Sequence, residues 1–258
     1  MREVFLLIIS ILPVIIIGTY IYKKDYNKEP LGILIKLFLG GIASVVIVLV
    51  LTYILNIIFP SLRYERIVSS NAIKMFFKIF VGIALVEEGS KWIIAYVISY
   101  NSKHFDEFFD IVLYCVFVAL GFACVENILY VFQGGLTTGI LRLFTAVPGH
   151  CFFGVLMGEY LGLAKINERN NKLKKKYMIL SILLPALLHC AYDFFALLGG
   201  VYAMFLFFAI LIFGYLTSID KIKHISKMRI NRYYPNYCTN CGSKVEGNFC
   251  SHCGKQHR

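Results

Sequence analysis

The sequence predicts an all-α polytopic membrane protein of about seven transmembrane helices, with a small zinc ribbon at its C-terminal end. Three observations carry this. The 258 residues are 59% hydrophobic and only 16% charged, with a mean hydropathy of +0.71, well away from ordinary soluble composition. Several apolar runs reach the roughly 20 residues that a helix needs to cross a bilayer. The net charge of +11 is concentrated in connections rather than spread over the chain. Residues 165–176 carry six basic side chains against Glu168, and residues 220–258 carry eight against two acidic ones; these two stretches account for the whole excess. Basic blocks confined to loops and a tail fit the positive-inside asymmetry of membrane proteins, and nucleic acid is not an expected partner.

The apolar runs place the passes at about 4–22, 37–59, 77–99, 110–131, 143–164, 177–196 and 198–217. The first is a retained helix rather than a signal peptide, because Arg2 is offset by Glu3 and no small-residue cleavage site precedes Lys23. The second is uninterrupted by charge after Lys36. The third, FVGIALVEEGSKWIIAYVISY, contains Glu87, Glu88 and Lys91. The fourth contains Glu126 and Asn127, the fifth His150, and the sixth His189 and Asp193. The seventh follows a very short Gly199-Gly200 join. Between passes two and three, residues 60–76 with Arg63, Arg66 and Lys74 suggest an interfacial amphipathic stretch. With seven passes the chain ends lie on opposite sides. Alternate loops are basic, which puts Lys23, Lys24, Lys28, the 165–176 block and the tail in the cytoplasm and the N-terminus outside. The expected domains are a transmembrane unit over 1–219, a basic linker over 220–235, and a ribbon over 236–256.

Ionisable side chains inside a membrane are costly and call for a function. Glu87 and Lys91 are four apart and share a helix face, so they are expected to pair, leaving Glu88 about 100° away to find another partner. Counted at 1.5 Å per residue from the outer face, Glu87 lies about 16 Å deep, His150 and His189 about 12 Å, and Glu126 about 8 Å. Four helices thus bring acids and imidazoles to one layer. Such groups suit activation of water and stabilisation of an oxyanion, with an amide as the attacked bond. The sequence contains neither GxSxG nor HExxH, and Cys115, Cys124, Cys151 and Cys190 sit singly in apolar runs as packing residues. The same Glu and His residues are also respectable metal ligands, so a catalytic metal stays open as an alternative. A proton-coupled transporter or a non-catalytic scaffold would use them as a relay or as interhelical glue.

EEGSK (87–91), GFACVEN (121–127), the PGH ending at His150 and HCAYD (189–193) resemble, in that order, the motifs of the PrsW family of membrane proteases. These are relatives of the CAAX-prenyl endopeptidase and bacteriocin-processing superfamily. The resemblance spans roughly residues 80–200. It implies a membrane-embedded endopeptidase acting on a membrane-associated polypeptide. By the same likeness Glu87 and Glu88 match the paired glutamates, Lys91 the basic residue that follows, Glu126 with Asn127 the second motif, His150 the third, and His189 with Asp193 the fourth. In the CAAX relatives one Glu and one His activate water while a later His and Asn stabilise the oxyanion. Here Glu126 stands where those relatives have His, so His150 is the expected substitute.

The tail reads YCTNCGSKVEGNFCSHCGKQ: CxxC, eight residues, CxxC, with Gly after each pair. Four thiolates from Cys238, Cys241, Cys250 and Cys253 fit one tetrahedral structural Zn²⁺, and the glycines permit the knuckle turns. A cytoplasmic tail would keep these thiols reduced. All four ligand positions are filled, so the ribbon is expected to be structural or to bind a protein partner rather than catalyse, and the linker beside it to lie on anionic lipid of the bilayer.

Overall fold

The computed structural model describes residues 1–63, 67–69, 71–102, 104–105, 107–226 and 249–254. Its regular elements among these residues are helical: α1 (Arg2–Lys24), α2 (Leu31–Ile58), α3 (Ala72–Ile79), α4 (Leu85–Ser99), α5 (Phe108–Phe144), α6 (Ala146–Ile166), α7 (Asn171–Leu198) and α8 (Val201–Ile225). A 3₁₀ turn, Pro60–Leu62, follows α2, and a π-helical turn, Phe80–Ala84, joins α3 to α4 in one continuous rod. Of the ribbon, Cys250 and Cys253 fall within the described residues, whereas Cys238 and Cys241 lie outside them, as does most of the 220–235 linker.

Among the described residues, five helical stretches are long and apolar enough to cross a bilayer: Arg2–Lys24, Leu31–Ile58, Phe108–Ile166, Asn171–Leu198 and Val201–Ile225. The difference from the seven expected passes has two causes. The α3–α4 rod carries Glu87, Glu88 and Lys91 within its central turns, and α5 with α6 forms one nearly unbroken helical stretch.

Within that stretch the chain nevertheless doubles back. Gly154, Gly158 and Gly162 of α6 face Val116, Val112 and Phe108 of α5 in turn, so one helix runs down as the other runs up. The reversal comes at Gly135, whose φ of 73° takes the backbone into the left-handed region open to glycine. After it, residues 136–144 fold back over the end of α5. The sequence reading gave this segment partly to a loop and partly to pass five.

Other contacts fix the remaining directions. Asn127 and Leu120 of α5 meet Ser10 and Gly18 of α1 in antiparallel order. Glu107, which caps α5, meets Asn27 ahead of α2, and Gly121 of α5 meets Phe38 of α2, so these two helices are parallel. Trp92 Nε1 donates to Ser181 Oγ at 2.8 Å while Glu88 meets His189, so α4 and α7 are antiparallel. Gly214 with Phe152, and Lys221 with Glu159, make α8 parallel to α6. Successive long rods therefore alternate in direction, and the Lys-rich turns at 23–28, 165–176 and 221–223 gather at one end.

Helix ends differ from expectation where charge was taken as a loop signal. Lys172 and Lys174–Lys176 lie in the first turns of α7, which starts after an Asn170 cap that accepts from Leu173 N. Likewise α8 runs beyond residue 219 to Ile225, and Lys221 binds Glu159 at 2.6 Å. Long Lys stems let a helix pass from lipid to water without breaking. In the 60–76 region, Asn71 caps α3 by accepting from Lys74 N, Met75 and Ile79 face inward, and Ile73 and Phe77 are exposed. Arg66 lies outside the described residues.

The tightest contacts are made by glycine. A Cβ on Gly41 would come within 2.1 Å of Val118 O, one on Gly121 within 2.0 Å of Phe38 O, and one on Gly158 within 2.5 Å of Val112 Cα. Small residues let backbones touch, which is how apolar helices associate where lipid offers no hydrophobic drive. Gly158→Val should push α6 off α5 and destabilise the bundle by about 1–3 kcal/mol or more, read as a fall in Tm in detergent. An unchanged Tm would show that the α5–α6 contact is not tight.

Candidate active site

The polar residues of four rods converge between α4, α5, α6 and α7. Lys91 on α4 lies at the centre, 1% exposed, with its Nζ 2.6 Å from Glu88 Oε1, 3.4 Å from His150 Nδ1 and 3.8 Å from Glu87 Oε2. It also sits 4.3 Å from the centroid of the Phe122 ring, a cation–π contact in a dry setting. Glu88 is fully buried and accepts a second hydrogen bond, from His189 Nδ1 at 2.9 Å.

His150 is buried and engaged at both nitrogens. Lys91 donates to Nδ1, which leaves the proton on Nε2 to be donated to Glu126 Oε2 at 2.6 Å. Glu126 in turn pairs with Arg142 NH2 at 3.2 Å, and Arg142 Nε donates to Asn127 Oδ1 at 2.8 Å. Asn127, completely buried, donates to the Ser10 carbonyl of α1 at 2.8 Å. Its place is thus a brace between α1 and the fold-back segment.

His189 stands differently. Its Nδ1 is fixed by Glu88, and its ring lies stacked on Phe153 with centroids 5.0 Å apart. Its Nε2 faces Asp193 Oδ2 at 3.4 Å and Glu87 Oε2 at 4.0 Å. The His150 and His189 rings are 5.8 Å apart. Glu87 Oε2 is buried without a hydrogen bond, while the side chains of Glu87, Glu126 and Asp193 are 14%, 22% and 22% exposed, the least buried acids of the cluster.

The structure therefore brings Glu87, Glu88, Lys91, Glu126, Asn127, His150, His189 and Asp193 into one cluster. The expected pair of Lys91 with Glu87 is present at 3.8 Å, but Glu88, expected to find another partner, is the closer one at 2.6 Å. Both spacings share a helix face; Glu88 wins because it points into the α4–α7 contact where His189 also arrives. Arg142 is the residue that sequence reasoning missed as part of the cluster. Its charge inside an apolar stretch was the available signal, but the fold-back at Gly135 that aims it at Glu126 has no clear mark in the sequence.

This arrangement can hold a water beside a carboxylate and a ring nitrogen, can accept and return a proton, and can place a donor near developing negative charge. Comparison with known proteins points the same way. Residues 29–216 match the family described as PrsW family intramembrane metalloprotease. Curated proteins named Protease PrsW are similar over most of their length. That of Bacillus subtilis is 33% identical, covering 86% of this chain and 97% of the relative. That of Clostridioides difficile is 34% identical, covering 84% and 90%. That of Oceanobacillus iheyensis is 35% identical, covering 72% and 80%. No solved structure matches the chain.

The family description implies a metal, and the donor types suit one: two imidazoles and several carboxylates are ordinary zinc ligands. Their placement does not. The Lys91 ammonium sits among Glu88, Glu87 and His150 and already supplies the positive charge there. Among the described residues, the group whose ligand atoms come within 4.8 Å of one another is Asp25, Glu107 and Asp110, at the opposite, Lys-rich end of the bundle. As arranged, the cluster holds an ammonium and does not fit a resident metal ion.

Arg142→Met should remove the cation that faces Glu126 and lower stability by about 1.5–3 kcal/mol, the worth of a hydrogen bond to a charged group, with Arg142→Lys recovering part of the loss. Thermal melting in detergent measures both. Equal stability of the Met variant and the parent would place Arg142 outside the cluster's support.

Proposed function

The chain belongs to the PrsW family of intramembrane proteases, and we propose that it hydrolyses a peptide bond in a membrane-associated polypeptide with a water activated by Glu87. The observation that carries this reading is the contrast between the two adjacent glutamates. Glu88 is tied to Lys91 and His189, whereas Glu87 Oε2 is buried without a hydrogen bond and lies 4.0 Å from His189 Nε2. That gap is too long for a direct bond and short enough for both atoms to hold one water.

In the proposed reaction the water oxygen attacks the carbonyl carbon as Glu87 takes its proton. His189, as the imidazolium, donates Nδ1–H to Glu88 and presents Nε2–H to the carbonyl oxygen where negative charge develops. The C–N bond then breaks, and Glu87 returns the proton to the leaving amine. Asp193 steadies His189 from the side of Nε2. His150 and Glu126, braced by Arg142 and Asn127, position Lys91 and with it Glu88.

The proposal includes seven passes, namely α1, α2, the α3–α4 rod, α5, α6, α7 and α8. Support comes from the alternating rod directions, which need α5 and α6 counted separately, and from burial of the α4 charges inside the bundle rather than against lipid. It puts the Lys-rich end in the cytoplasm, the N-terminus outside, and the protein in the cell membrane. The tail is proposed as a structural zinc ribbon of Cys238, Cys241, Cys250 and Cys253, offered to a protein partner.

Two outcomes test these readings. Proteomics of new N-termini in membranes carrying the parent or Glu87→Gln should find polypeptides whose cleavage falls by about 100-fold or more in the variant, the scale of a lost general base. Tm should stay near the parent value for Glu87→Gln and drop for Glu88→Gln, which breaks the Lys91–His189 link. Normal cleavage by Glu87→Gln would reject its role. The second outcome concerns metal. The parent should carry one zinc per chain, and a variant with all four tail cysteines changed to Ser should carry none while still cleaving. A stoichiometric ion persisting in that variant would assign metal ligation to the Glu and His cluster instead.

A further inference from the structure

An apolar cavity of about 390 Å³ lies between α1, α6 and α8, within the range of about 300–1,000 Å³ typical of ligand sites. Its outer rim is open. Ile16 and Tyr20 of α1, Phe144, and Tyr215 and Ile219 of α8 all line it, and all are exposed on the flank of the bundle that faces lipid in the proposed topology. Its inner wall is formed by Gly149, Phe153 and Tyr192. These are the immediate neighbours of the reactive cluster: Gly149 precedes His150, Tyr192 precedes Asp193, and the Phe153 ring is stacked on His189. Phe153 and Tyr192, edge to face at 6.4 Å, are the partition between the groove and the imidazoles.

We propose that this groove receives the apolar residues on one side of the scissile bond, entering sideways from the bilayer between α1 and α8. The proposal rests on the proteolytic reading above and names the part of the substrate that the site takes.

Length and register support it. The α8 wall runs from Ile210 to Ile222, thirteen residues whose ends are about 18 Å apart along the helix. An extended chain advances about 3.3–3.6 Å per residue, so the groove accommodates about five extended residues and not a whole transmembrane helix. Because α8 runs parallel to α6, the Ile210 end is level with His150, and the Ile222 end points toward the Lys-rich side. A peptide with its reacting carbonyl at His189 would therefore run its apolar flank along α8 in that direction. The lining offers apolar surface almost throughout, with the Tyr215 hydroxyl already donating to Phe144 O. That selects against charged residues at these positions and against polar solutes as occupants.

The test uses the full chain carrying Glu87→Gln in phosphatidylcholine vesicles, with a single-spanning Leu/Ala peptide, Lys-flanked and bearing one diazirine leucine, as probe. Crosslinks from mid-peptide should map to the groove walls on α1 and α8. They should fall at least tenfold in Ile210→Trp, which fills the groove, and stay unchanged in Phe205→Trp on an exposed face of α8 outside it. Circular dichroism and Tm confirm folding, and Ile219→Trp serves if Ile210→Trp is unstable. Crosslinks confined to other lipid-facing helices, or indifferent to both fillings, would overturn the proposal. So would labelling of the groove by a diazirine phospholipid that excess peptide does not displace, which would make it an acyl-chain site. The two readings separate cleanly. Groove crosslinks without any Glu87-dependent cleavage would leave the groove and remove the proteolytic mechanism. Glu87-dependent cleavage unaffected by Ile210→Trp, with no groove crosslinks, would do the reverse.

Discussion

Carboxylates inside an apolar bundle must be given counter-charge, and the Lys91 ammonium is the group on which this structure depends. It gathers Glu88 and His150 at hydrogen-bond range, with Glu87 just beyond, and Glu88 in turn fixes His189. Arg142 does the corresponding task for Glu126, which holds the other nitrogen of His150. Two fixed cations thus face four carboxylates, and His189, which unlike His150 accepts no hydrogen bond from Lys91, is the remaining group placed to carry positive charge. Without Lys91, Glu88 would be a buried anion with only a histidine beside it, a costly arrangement in low dielectric. The cation and the order of the site are one feature.

Such placement needs helices that cannot slide. The glycines of α2, α5 and α6 bring backbones into direct contact, and a half-turn shift along α5 would separate His150 from Glu126. Between α1 and α8 the opposite holds: large side chains meet at a distance and leave a groove. Rigid packing at the polar cluster and loose packing at the lipid-facing flank come from the same rule, that small residues set how closely apolar helices approach.

Much of this was legible in the sequence, and the unread parts have physical reasons. Apolar run length marked the rods, and intramembrane charge marked Glu87, Glu88, Glu126, His150 and His189 as a common layer. Helix ends were misplaced at Lys172–Lys176 and at Lys221 because a Lys stem lets a helix carry charge at its watery end. That Glu88 would come closer to Lys91 than Glu87 was not legible because spacings of three and four share a face, and the choice depends on where α7 lies. Arg142 escaped because a left-handed Gly135 turns its segment back. The groove was invisible because sequence fixes the order of helices along the chain and not which of them stand side by side.

Hydrolysis within a membrane requires an apolar peptide and water to meet at one atom pair, and the geometry suggests that they come from different directions. Glu87, Glu126 and Asp193 are the partly exposed acids of the cluster. The groove approaches from the opposite character of surface, through Phe153 and Tyr192, with hardly a polar atom in its lining. In the proposed reaction both would reach His189, its Nδ1 held by Glu88 and its Nε2 turned toward Glu87. Two adjacent glutamates then have separate uses on one helix: Glu88 fixes the histidine from inside the α4–α7 contact, and Glu87, about 100° around the helix, is free of that contact to serve as the proposed base.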